Sequence, residues 1–105
     1  MIELPIPGSI KVGGLDYAIE CTEDVGKELR ANGNWGEHNG WLQRIRIRKE
    51  LCAQAQSQVF LHEIIHAISE VYLNGKLNED DTIDPLSHGL TQVLEELGVR
   101  FILTY

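Results

Sequence analysis

The chain has 105 residues, of which 43% are hydrophobic and 24% charged. That is one small globular domain; it excludes a collagen-like or low-complexity polymer, and no apolar run reaches the roughly 20 residues of a membrane helix. Sixteen acidic residues against nine basic ones give a net charge of −7, which disfavours nucleic acid as a partner.

The first segment, MIELPIPGSIKVGG, lacks a basic stretch followed by an apolar one, so no export signal is expected and the chain reads as cytoplasmic. Ile10 to Val12 and Asp16 to Cys21 are β-prone runs joined at Gly13-Gly14, a hairpin signal. Thr22-Glu23-Asp24 opens a short helix over Val25 to Ala31. Residues 32–41, NGNWGEHNGW, form a glycine- and asparagine-rich loop. Its His38 is a candidate for a cleft rim, and Trp35 and Trp41 are expected to anchor it to the core. Trp41 to Arg48 alternates, with Arg44, Arg46 and Arg48 on one face and Ile45 and Ile47 on the other. This predicts a strand with a solvated arginine face, as edge strands often carry. Cys21 and Cys52 are far apart and form no CxxC pair, so both are expected to be small buried hydrophobes.

Residues 50–73 predict the longest helix, stopped by Asn74-Gly75. Phe60, Leu61, Ile64, Ile65, Ala67, Ile68, Val71 and Tyr72 share its broad apolar arc, the expected core face. Residues 76–84, KLNEDDTID, are an acidic connector. A second helix is predicted over about 85–97, with Asp84 as a possible N-cap, Pro85 in the first turn and Gly98 as the stop. Leu86, Leu90, Val93 and Leu97 make its apolar stripe. Residues 99–105 are a short strand or packed coil.

The chemistry lies in His62-Glu63-Ile64-Ile65-His66, an HExxH motif inside the long helix. Histidines at i and i+4 share one face, so two imidazoles can hold one Zn²⁺ while the adjacent glutamate reaches a metal-activated water as general base. With 4 His among 105 residues, a shuffled chain of this composition gives the motif only about 0.015 times, so chance is a poor account of it. Catalytic zinc takes three protein ligands and a water. Candidates for the third ligand are Asp81, Asp84, His88, Glu95 and Glu96. Asp84 is preferred, with His88 as a catalytic transition-state donor or as the next choice of ligand. Glu95 and Glu96 read as solvated charge.

LHEIIHAISEVY followed by IDPLSHGLTQVLEELG resembles the small metallopeptidase-like proteins of phages and mobile elements. These are related to ImmA/IrrE-type zinc peptidases and minimal gluzincins. The resemblance implies an α+β zincin-like domain: a short antiparallel sheet on the HExxH helix, with a second, C-terminal helix. It implies a zinc peptidase acting on an intracellular protein or peptide, with His62 and His66 as metal ligands and Glu63 as general base. The strand near Trp41–Arg48 is then expected to pair with extended substrate. The family expects a glutamate as third ligand where this chain offers Asp84 or Asp81. Two alternatives are a zincin-like binding module without activity and a structural zinc site closed by His62, His66, Asp84 and His88.

Overall fold

A computed structural model describes residues 1–104. The elements in chain order are β1 (Ile2–Pro5), β2 (Ser9–Val12), β3 (Leu15–Glu20), α1 (Glu23–Ala31), β4 (Gly36–Asn39) and β5 (Arg44–Ile47). They continue with α2 (Ala53–Leu73), a π turn (Glu79–Ile83), α3 (Asp84–Glu96) and β6 (Val99–Ile102). The fold is α+β. No helix among the described residues is long and apolar enough to cross a membrane.

The main sheet has the order β2-β3-β5-β4, and it is mixed rather than antiparallel. The β2–β3 hairpin turns at Gly13-Gly14 as the sequence predicts, with both glycines at positive φ. β3 and β5 then run parallel, because α1 carries the chain across the sheet between them, the connection that parallel strands require. β4 folds back beside β5 with Gly36 opposite Ile47 and Asn39 opposite Arg44. The glycine-rich loop therefore contains a strand, GEHN, that intrinsic β-propensity disfavours. A second, two-stranded sheet pairs β1 with β6 in parallel, so the expected tail strand finds its partner at the other end of the chain.

One face of the main sheet carries the core. Val12, Tyr17, Ile19, Ile45 and Ile47 meet Val59, Phe60 and Ala67 of α2. The helix is covered on more than its predicted arc. Val59 and Ser69, outside that arc, are buried, while Ile68 and Tyr72, inside it, are exposed. Each fully buried side chain of this size contributes about 1.5–3 kcal/mol, so α2 is the element around which the rest is laid.

The arginine face of β5 is not a solvated edge. β5 lies between β3 and β4, and α1 packs over it with Val25 and Leu29 buried. Arg46 is 8% exposed; it donates to Glu28 of α1 at 2.6 Å and lies 3.7 Å from Glu37 of β4. Arg48 donates to Glu50 at 2.8 Å, and Arg44 lies 3.8 Å from Glu20. Each guanidinium meets a carboxylate contributed by a neighbouring segment, which is how a charged strand face tolerates being covered. Arg46→Ala is expected to destabilise the fold by about 2 kcal/mol in urea denaturation, because Glu37 is left half-buried without its cation.

The predicted anchors also differ. Trp41 is 97% exposed and Trp35 half-exposed: Trp41 sits at the tip of the β4–β5 turn, where no element covers it. Cys21 is buried as expected, whereas Cys52 is exposed at the N-cap of α2. The stripe of α3 is turned outward: Leu86, Leu90, Val93 and Leu97 are exposed, and the residues α3 buries are Ser87 and Thr91. Small hydroxyl side chains let α3 lie close against the polar flank of α2, where Ser87 Oγ receives a hydrogen bond from Gln58 Nε2 at 3.2 Å and donates to the Asp84 carbonyl at 2.9 Å.

Candidate metal centre

His62 and His66 lie one turn apart on α2, on the flank facing the connector and α3. The reversal after α2 decides what meets them. Asn74 takes the left-handed conformation that ends the helix, and its backbone N–H and that of Gly75 both donate to the Ser69 carbonyl. Ser69 Oγ, on a buried side chain, then accepts from the Leu77 N–H at 3.2 Å. The returning chain is thus tied back to the helix it has just left. Asn78 caps the next turn, its Oδ1 accepting from Asp81 N at 2.9 Å and its carbonyl from Ile83 N at 2.9 Å. The wide π turn that results is anchored by buried Ile83. π turns of this kind recur at functional sites because the extra residue re-aims a side chain.

The side chain so aimed is Glu79. Its Oε1 lies 2.6 Å from His62 Nε2, and its Oε2 contacts His66 Nε2. These three residues offer ligand atoms that all lie within 4.8 Å of one another. Two imidazoles and one carboxylate are the donor set of a catalytic zinc site with a position left open.

Asp84 lies one nitrogen away from that set. Its Oδ1 is 3.4 Å from His62 Nδ1, the ring atom opposite the one facing Glu79. Ser87 Oγ lies 3.4 Å from the same nitrogen, so the two together are placed to hold the Nδ1–H tautomer and turn Nε2 toward the centre, as outer groups do for metal-bound histidines. Nor does Asp84 act as an N-cap: α3 runs on continuously from the π turn, and Asn78 does the capping. His88 borders the same cleft, with Nδ1 2.8 Å from the Asp84 carbonyl. Asp81 is exposed and belongs to the turn rather than to the cluster. Glu95 is tied to Arg100 at 2.8 Å on β6, and Glu96 is exposed beside Gln92. Among the described residues the only such group is His62, His66 and Glu79; a four-residue shell with Asp84 and His88 is not assembled. The signals for Glu79 in the sequence were Asn78 as a cap and the position of Glu79 as the sole glutamate of the acidic connector.

Glu63 faces the sheet side of the centre and is 7% exposed. Burial pushes its carboxyl up to about 8, with the charges of Glu79 and Glu37 adding to the rise. It fits there because β4 begins with glycine. A methyl on Gly36 would come within 2.5 Å of Val59 Cγ1 and 3.1 Å of Glu63 Oε2. Gly36→Ala is expected to cost about 1–3 kcal/mol in thermal denaturation, since Val59 is itself buried and has nowhere to go.

Behind His66 stands His38 of β4, its ring nearly parallel at 7° with centroids 6.1 Å apart, and Tyr17 stacks on the other side of His38 at 5.7 Å. His38 thus lies behind His66 rather than on the cleft rim. Burial holds its imidazole below the usual value, although Glu70, 3.5 Å away, favours the charged form. A neutral ring in this position supports His66 without setting a second cation beside the centre.

The cleft over these residues has a volume of about 430 Å³. Trp35 and Gly36 form one wall, Gln58, Val59, His62, Glu63 and His66 the floor, and Glu79, Asp84 and His88 the other wall. In comparisons with known proteins, no family model, no curated protein and no solved structure matches the chain.

Proposed function

We propose that the chain is a zinc-dependent peptidase of zincin-like design, with His62, His66 and Glu79 holding the ion. The observation that carries this reading is the closure of the Glu79 carboxylate on Nε2 of both histidines of an HExxH helix. When bound, zinc supplies a Lewis acid that lowers the pKa of a bound water to about 7 and polarises a carbonyl. Glu63 accepts the proton of the attacking water and passes it to the leaving amine. Beside a bound dication its carboxylate form is favoured again, which reconciles a buried acid with the work of a base. Asp84 keeps His62 in the ligating tautomer. His88, on the cleft wall, is the hydrogen-bond donor to a developing oxyanion in this reading.

The substrate is an extended segment of a protein or peptide. β5 is interior and cannot receive it, whereas β4 is an edge strand whose first residue, Gly36, borders the cleft. An extended peptide added along β4 gains backbone hydrogen bonds and lies across Glu63. Trp35 is the wall against which a substrate side chain rests.

The test is metal content by elemental analysis, followed by proteolysis of casein. Wild type is expected to hold about one zinc per chain and to cleave; Glu63→Gln is expected to hold zinc and not cleave. A wild-type chain that takes up no zinc on reconstitution ends this reading.

A further inference from the structure

The outward stripe of α3 is an apolar face that the fold leaves uncovered. Leu86, Leu90, Val93 and Leu97 are 44%, 40%, 55% and 72% exposed. Their four-three-four spacing is that of a coiled-coil seam, the pattern whose residues seat into the facing side of a second helix. Projected at 100° per residue, the stripe lies on the flank of α3 away from His88, which borders the cleft. Whatever covers it leaves the metal centre open.

Two observations choose the occupant. The first is area: the four residues expose roughly 400 Å² together, enough to mark a contact site but about half of what each partner of a stable dimer contributes. One added helix matches it; a second copy of the whole chain does not. The second is charge. Glu79 and Asp84 line the cleft and Glu95 is held by Arg100, which leaves Glu96 as the acid of α3 beside the stripe, and no lysine or arginine lies between Lys76 and Arg100. Glu96 occupies the position that flanks a seam and selects partners by charge. A second copy brings the same Glu96 and a net charge of −7, and an anionic lipid surface is repelled likewise.

We infer that the outer face of α3 binds a basic amphipathic helix of another protein, with leucines on the Leu86–Leu97 stripe and a lysine or arginine against Glu96. The contact is independent of the metal centre. It serves to hold a partner beside the cleft rather than within it.

The probe is a fluorescein-labelled synthetic helix with leucines at four-three-four spacing and lysines and arginines on both sides. Its twin carries glutamates at the basic positions. Fluorescence anisotropy with the full chain is expected to show saturable binding at micromolar concentrations, weakening as salt is raised. Leu90→Glu and Val93→Glu are each expected to weaken it about tenfold or more, and Glu96→Lys a few-fold. His66→Ala is expected to bind as wild type, so loss of the metal centre and loss of this surface are separable. All of these stripe positions are exposed, so circular dichroism and zinc content are the controls for intact folding. Equal affinity for the acidic twin, or no saturation below about 1 mM, overturns the inference. So does a Leu90→Glu variant that binds as wild type. Sedimentation showing that the chain alone dimerises, and that Leu90→Glu abolishes this, gives the face to a second copy instead. Leu90-dependent binding to phosphatidylglycerol vesicles gives it to a membrane surface.

Discussion

Glu79→Ala is expected to lower zinc affinity by at least about 100-fold, measured by competition with a chromophoric chelator at pH 7. Among the described residues, Glu79 is the one whose carboxylate reaches Nε2 of both His62 and His66. Asp84→Ala is expected to cost less, about tenfold, because Asp84 touches only the far nitrogen of His62 and Ser87 Oγ remains beside that nitrogen. The ranking of the two variants separates a ligand from a positioning residue. An Asp84→Ala protein that loses zinc as completely as Glu79→Ala would return Asp84 to the metal. In the metal-free state Glu79→Ala carries no comparable penalty in stability, since the side chain is half-exposed and its charge opposes ionisation of Glu63.

Glu63→Gln is expected to have opposite effects on activity and on metal-free stability. In the proposed role of proton acceptor, Glu63 is expected to contribute on the order of 10²- to 10⁴-fold to cleavage, and glutamine supplies no base. In the metal-free chain the same carboxyl is a burden. Its pKa is about 8 when folded against an ordinary value of 4.5. The folded chain therefore keeps a proton that the unfolded chain releases. The stability this confers is complete below pH 4.5 and is lost as pH rises from 4.5 to about 8, then levels off. The loss is on the order of 4 kcal/mol. Glutamine cannot titrate, so the melting temperature of metal-free Glu63→Gln is expected to match wild type at pH 4.5 and to exceed it by more than about 10 °C at pH 8. Differential scanning calorimetry in the presence of a chelator reads this directly. Parallel curves across that range would show that Glu63 is not the buried acid the structure describes.

The elements easiest to read from sequence were those written in local periodicity. The HExxH helix, its Asn74-Gly75 stop and the Gly13-Gly14 hairpin depend on residues a few positions apart, and all three stand where the sequence put them. What escaped reading depends on partners remote in sequence. GEHN becomes a strand because β5 offers it a ladder, not because its residues favour one. The arginines of β5 read as solvated because nothing local announces that α1 will cross over them with Glu28. The stripe of α3 read as core for the opposite reason. Its spacing is that of a buried face, but Ser87 and Thr91 fit the hydroxyl- and amide-lined flank of α2 and take that place. Glu79 was hidden by its turn. A π turn advances the chain differently from an α-helix, so helical spacing carried attention to Asp84, which stands in the same cleft one atom too far along the imidazole.

The pairing of β1 with β6 is the most non-local strand contact among the described residues. The Ile2 N–H donates to the Gly98 carbonyl and the Ile6 N–H to the Ile102 carbonyl, both at 2.7 Å. On its other side β6 is held by side chains of α2, the Phe101 N–H donating to Ser57 Oγ and the Leu103 N–H to Gln56 Oε1. The hairpin, α1 and α2 form from residues close in sequence, whereas this ribbon joins segments nearly a hundred positions apart. Closing so large a loop is the slow kind of contact. This ribbon is therefore the contact whose closure costs the chain the most entropy, and it seats β6 against the start of α2, the helix that carries the HExxH motif.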